Sequence, residues 1–245
     1  RCSRDWSSDV CSSDLENMKL ARLLAGAVLL AAAGASCAQA YPEKTIRMLL
    51  PFPTGGTFLV GHLVSEGLAA ALGKAVVAEN RTGAGGSVAM EAVAKSAPDG
   101  YTLLVATPTV TITPNIRSNL RYDPMRDLIP VAPVAKVPNV LVVHPSVPAR
   151  DLAELAKVAR ARPGKLTFGT SGMGSSLHLA SELFSMLAKL QLQHVPYQSG
   201  THALTALVGG QVDLVIGGQP TATPLVLAGK LRALAVLTQK RAGGL

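Results

Sequence analysis

The chain has 245 residues, 48% of them hydrophobic, and its 23 Lys and Arg against 15 Asp and Glu leave a net charge of +8. Cys2, Cys11 and Cys37 all precede residue 41, so beyond that point a disulfide framework, a thiolate zinc site and a cysteine nucleophile are excluded. The basic residues are scattered and few aromatics accompany them, which argues against nucleic acid and for a field that attracts small anions.

The chain opens on Arg1, and residues 1–17 repeat Ser-Ser-Asp without any apolar period, so they read as a non-native leader. From Met18 the order is that of a secretory signal: Lys19 and Arg22, an apolar run over 23–35, then Ala38-Gln39-Ala40 with small residues where a signal peptidase cuts. The apolar run falls short of the ~20 residues that span a bilayer. Residues 18–40 are therefore expected to be a cleaved signal peptide, and the mature protein to be periplasmic.

Past residue 41, short apolar runs alternate with amphipathic ones. Strands are expected over 45–51, 75–79 and 101–106, and helices over 59–72 and 88–95, with a glycine-rich loop at 81–87 and a Pro98-Asp99-Gly100 turn. Residues 107–139 are proline-rich without a clean period and read as an irregular crossing segment. Alternation resumes with strands over 140–144, 166–169, 195–197, 212–216 and 231–238, and helices over 152–162, 176–190 and 203–208. This rhythm predicts an α/β protein of parallel sheets with helices on their faces. Two such blocks joined through a proline-rich segment imply a cleft, the usual place for a ligand.

Ligands of open α/β sheets bind beyond the carboxyl ends of strands, where helix N-termini present free N–H groups. The loop Thr54-Gly55-Gly56-Thr57 stands at such a place, and its glycines let the backbone approach a carboxylate. A plain connecting turn would explain it too. Thr170-Ser171-Gly172-Met173-Gly174-Ser175 repeats the arrangement in the second block, where either helix capping or anion binding accounts for the hydroxyls. The loop at 81–86 reads as structural.

No nucleotide or hydrolase motif is present: there is no phosphate-loop pattern, no third glycine after Gly83-Ala84-Gly85 or Gly172-Met173-Gly174, and no nucleophile elbow at 169–172. His62, His144, His178, His194 and His202 lack metal-ligand spacing. A hydrolase using Ser171 or Ser175 with His178 is conceivable, but no paired carboxylates stand nearby to share acid–base work. No enzyme, cofactor or metal is expected.

The run Tyr41-Pro42-Glu43-Lys44, Pro51-Phe52-Pro53 and Gly55-Gly56 resembles the mature start of the tripartite tricarboxylate transporter receptors, the Bug family. Further similarity lies in Glu79-Asn80-Arg81, Pro98-Asp99-Gly100-Tyr101, Gly172 to His178, His194-Val195-Pro196-Tyr197, Gly209-Gly210-Gln211-Val212-Asp213 and Gly229-Lys230-Leu231, in order across residues 41–241. The resemblance implies a two-lobed type II periplasmic-binding-protein fold, lobe 1 over 41–142 and lobe 2 over 143–245. It also implies a small carboxylate held in the cleft by a monomer and delivered to membrane permease subunits. A related binding protein that presents its loaded form to a sensor is the alternative. Loops and resemblance together nominate Phe52, Thr54, Gly55, Gly56, Thr57, Thr107, Thr170, Ser171, Gly172, Gly174, Ser175, Tyr197, Gln198 and Gly217 as ligand-binding residues.

The chain also departs from the family pattern. Thr54 stands where the loop usually reads proline, Phe58-Leu59 where an acidic residue is usual, and His62 near the usual arginine. Tyr197-Gln198-Ser199 replaces Y-K-G, and Gly217 replaces an acidic residue. Fewer charges in the cleft favour a plain carboxylate or a less polar acid over one carrying an amino group. The family continues beyond the position of Leu245 and crosses back to complete lobe 1. This chain is thus expected to lack that return, to keep an open sheet edge, and to be poorly soluble or unable to bind.

Overall fold

The computed structural model describes residues 41–239; the leader and signal peptide expected at 1–17 and 18–40 lie outside them. Within them, residues 44–239 belong to one unit. It is built on two sheets.

The first sheet has the order β2-β1-β3, from β1 (Ile46–Leu50), β2 (Val76–Asn80) and β3 (Thr102–Leu104), all parallel. Central β1 is the most apolar of the three, and its Ile46, Met48, Leu49 and Leu50 are buried. Helices α1 (Gly56–Leu72), α2 (Ser87–Ala94) and α3 (Thr109–Ile116) follow the three strands in turn. Helix α1 stops at Gly73, whose left-handed φ of 64° needs no Cβ. Gly61 of α1 lies so close to Leu50 that a Cβ would collide with its methyl groups, whereas nothing stands within 4 Å of a Cβ at Gly67. The glycine at 61 therefore sets how closely α1 approaches the sheet.

The second sheet has the order β6-β5-β7-β4-β8, from β4 (Asn139–Val143), β5 (Thr167–Thr170), β6 (Gln193–Pro196), β7 (Leu214–Gly218) and β8 (Arg232–Val236). The period-2 alternation of side chains divides its core in two. Leu141, Val143, Phe168, Leu214 and Ile216 pack with α4 (Leu152–Ala161) and α5 (Ser176–Ala188) on one face. Val140, Val142 and Val215 pack with α6 (Gly200–Val208) and α7 (Gln219–Leu227) on the other.

Three expectations change. The second sheet is mixed, because β4 runs antiparallel to both β7 and β8. The proline-rich segment contains helix α3, and a further helix, α7, precedes β8; each carries an interior proline, Pro114 and Pro224. Their Thr, Val and Pro content hides them from a propensity reading, and an interior proline forgoes one i→i−4 bond. Lastly, the expected lobe boundary between 142 and 143 falls inside β4, all five residues of which pair in the second sheet.

The two glycines of α1 give opposite expectations. Gly67→Ala should stabilise the protein by about 0.5–1 kcal/mol through helix propensity, whereas Gly61→Ala should destabilise it by ~1–3 kcal/mol through overpacking. Urea-unfolding midpoints of the two variants decide it, and shifts in the same direction would refute the packing account.

Candidate ligand-binding site

Each parallel strand of either sheet leads at its carboxyl end into a helix, directly after β7 and through a loop after the others, so the N-termini of these helices gather at those ends. Helix α1 starts from Gly55 (φ 93°) and α2 from Gly86 (φ 101°), and neither has a side-chain cap. Helices α5 and α6 start from Ser175 and Ser199, whose hydroxyls accept from the backbone N–H groups of His178 and His202. Helix α7 follows Gly218, again without a side-chain cap.

The loops of the two sheets meet. Thr54 Oγ1 lies 2.8 Å from Ser199 Oγ. A Cβ on Gly55 would stand 3.1 Å from Thr201 Oγ1, in the first turn of α6. A Cβ on Gly85 would stand 2.8 Å from the Met173 carbonyl and 3.4 Å from the Ser175 nitrogen, before α5. Val137 fits between Gly56 and Gly218, 3.5 Å from a Cβ at either. Five helix N-termini, those of α1, α2, α5, α6 and α7, thus gather around one inter-lobe junction. None has an acidic residue in its first turn; among the described helices only α4 does, with Glu154. Each N-terminus carries roughly half a positive charge. Their sum favours an anion at this junction over a cation.

Of the nominated residues, Thr54, Gly55, Gly56 and Thr57 lie where α1 begins. The Phe52 ring lies beside Gly86, and Thr107 donates to Thr109 Oγ1 across 3.1 Å at the start of α3. Gly172 and Gly174, with φ of 102° and 78°, make the turn that fits against Gly85 and Ile116. Ser171 is buried beside them, and Gln198 is exposed. Other hydroxyls are already engaged within lobe 2. Thr170 Oγ1, fully buried, lies 2.6 Å from His194 Nε2 and accepts from the Gly172 N–H at 3.2 Å. Ser175 donates to the Gly172 carbonyl at 2.7 Å while capping α5. Tyr197 packs in the core against Gly169, and Gly217 is turned toward Leu204 of α6.

Sequence reasoning noted Ser199 only as a departure from the family pattern and passed over Thr201, having started α6 at residue 203. Ser199 is fully buried, and Thr201 Oγ1 is buried with no hydrogen-bond partner. A buried hydroxyl without a partner costs free energy unless something outside the chain completes it. Thr201, like Ser87 in the first turn of α2, thus joins the candidate ligand-binding residues.

The Ser175 hydroxyl does not bond to the ring of His178: Nδ1 of that ring accepts from the Gly174 N–H at 3.3 Å, and Nε2 faces Glu182 at 3.6 Å. The dyad a hydrolase would need is therefore not formed there. His178 instead packs on His194 with ring centroids 4.2 Å apart. Burial, and secondarily the neighbouring His178, push the His194 pKa down from 6.5 to about 4. Among the described residues no group of three His, Cys, Asp or Glu could hold a metal ion, and no helix is long and apolar enough to cross a membrane.

Two α/β lobes whose helix N-termini gather at a common junction define a periplasmic-type solute-binding protein. The chain belongs to the tripartite tricarboxylate transporter family of receptors, whose model matches residues 60–245. It is 36% identical over 231 residues to the protein BugT of Bordetella pertussis, covering 91% of this chain and 71% of that one. In structure it is similar to Rpa4515 of R. palustris, solved with adipate (TM-score 0.78, 37% identity, 82% of this chain and 68% of that one). It is likewise similar to MatC (Rpa3494) of Rhodopseudomonas palustris, solved with bound malate (TM-score 0.74, 32% identity, 82% of this chain and 69% of that one).

The depressed pKa of His194 has a consequence for stability. Between pH 6.5 and about 4 the unfolded chain binds this proton and the folded one does not. The contribution is fully present above pH 6.5 and is lost as pH falls toward 4, so the melting temperature should fall across that window. His194→Asn should flatten that part of the curve; an unchanged pH profile in the variant would contradict it.

Proposed function

We propose that this chain is a periplasmic receptor that holds a small carboxylate at the N-terminus of α1, between the two lobes, and delivers it to the membrane permease of a tripartite tricarboxylate-type transporter. The observation that carries the reading is the gathering of five helix N-termini without one acidic first-turn residue. Such an arrangement stabilises an anion through backbone N–H groups and helix dipoles, and it would oppose a cation. Two similar proteins solved with adipate and malate, both carboxylates, support the same class of ligand.

In this reading the backbone N–H groups of Gly56 and Thr57 take one carboxylate, and the unpartnered hydroxyl of Thr201 donates to it from the opposite lobe. Lobe 1 supplies the positive end of α1 and lobe 2 a neutral hydroxyl, so the carboxylate is gripped from both sides only when the lobes are together. Binding therefore favours closure through differential contacts. No proton or bond changes hands; a carrier needs only capture and release. The missing acidic and lysine positions leave a site suited to a plain acid and short of a counter-charge for an amino group.

The test is a thermal-shift and calorimetric screen against mono-, di- and tricarboxylates, adipate and malate included. A ligand at ~100 times its Kd should stabilise the protein by about 2.7 kcal/mol. Thr201→Val keeps the shape and removes the donor, and should weaken binding about tenfold or more, as expected for a hydrogen bond to a charged group. If no carboxylate stabilises the protein, the proposed function fails.

A further inference from the structure

Thr54 and Ser199 touch each other although they belong to different lobes. They lie 145 positions apart, and their hydroxyl oxygens are 2.8 Å apart across the lobe junction. Removing either hydroxyl would leave the other without the partner it has here.

The surroundings orient the pair. Ser199 is fully buried, caps α6 by accepting from the His202 N–H at 3.3 Å, and lies 2.8 Å from His202 Nδ1. Ser199 Oγ accepts from that N–H and shares one further hydrogen bond with each of Thr54 Oγ1 and His202 Nδ1, the direction of these two following the His202 tautomer, so every hydrogen-bonding site on the hydroxyl is used. Ser199 is thus held in place on lobe 2, ahead of any ligand, while Thr54 immediately precedes the residue from which α1 starts. Shelter from water makes a hydrogen bond of this kind stronger than a surface one.

We propose that Thr54 and Ser199 form an inter-lobe latch, a protein-to-protein hydrogen bond that draws the α1 loop onto α6 and biases the receptor toward its closed arrangement. The latch rests on the proposed function for its purpose, though not for its existence. By shifting the open–closed balance before a ligand arrives, it raises affinity by the same factor for every ligand that requires closure. Thr54 and Ser199 are then positioning residues and are not themselves ligand donors.

The experiment compares the full chain with Thr54→Val, Ser199→Gly and the double variant; glycine is chosen because it is tolerated at a helix N-cap. Without ligand, hydrogen exchange at the first-turn amides of α1 should speed up two- to tenfold in each variant, and the radius of gyration from small-angle scattering should rise. The double variant should be no worse than either single one, as coupled partners require. With adipate and with malate as probes, Kd should rise by one common factor within the same range. Unchanged exchange and scattering, or additive effects of the two changes, would overturn the latch. A factor that differs between adipate and malate would overturn it as well, by marking the hydroxyls as ligand donors. If neither probe binds but exchange and scattering respond as described, the latch stands and the carboxylate reading is what fails.

Discussion

The proposed site depends on backbone N–H groups that the chain leaves without side-chain caps at the start of α1. A helix of 17 residues begins there at a glycine of φ 93°, with no acidic residue in its own first turn to neutralise its positive end. Elsewhere the sequence does cap its helices: Asp151 accepts from the Glu154 N–H to start α4, and serines start α5 and α6. Uncapped starts are thus a property of particular loops. They gather at the lobe junction, where an anion gains most from them.

The two lobes contribute differently. Helices α1 and α2 of lobe 1 start from glycines, which bring bare backbone close to lobe 2; Gly85 approaches the Met173 carbonyl so closely that any side chain would force the loops apart. Lobe 2 has a five-stranded sheet covered on both faces, and its loop hydroxyls are tied down by Thr170–His194 and Ser175–Gly172 contacts. On the proposed reading lobe 1 supplies the positive end and lobe 2 the surface against which it closes. The polar side chains of the second glycine loop then serve its shape more than its ligand.

Much of this was legible in residue order, and the exceptions have physical causes. An apolar run, a glycine pair and a periodic stretch announced β1, its loop and α1, and the strands of lobe 2 were found to within a few residues. Helices α3 and α7 were hidden because TVTITPNI and QPTATPLVL combine β-branched residues with prolines, and only tertiary packing makes them helical. The antiparallel direction of β4 depends on pairing with β7, far along the chain, which no local pattern reports. Thr54 and Ser199 were each visible as unusual residues. That they touch is a fact of the fold, as is the unpartnered hydroxyl of Thr201.

The central claim is the position of a carboxylate relative to α1, and a crystal structure of the protein with a bound carboxylate measures it directly. The account predicts one carboxylate oxygen within hydrogen-bond distance of the Gly56 or Thr57 N–H and of Thr201 Oγ1. A carboxylate bound elsewhere, with those groups facing only water, would contradict it.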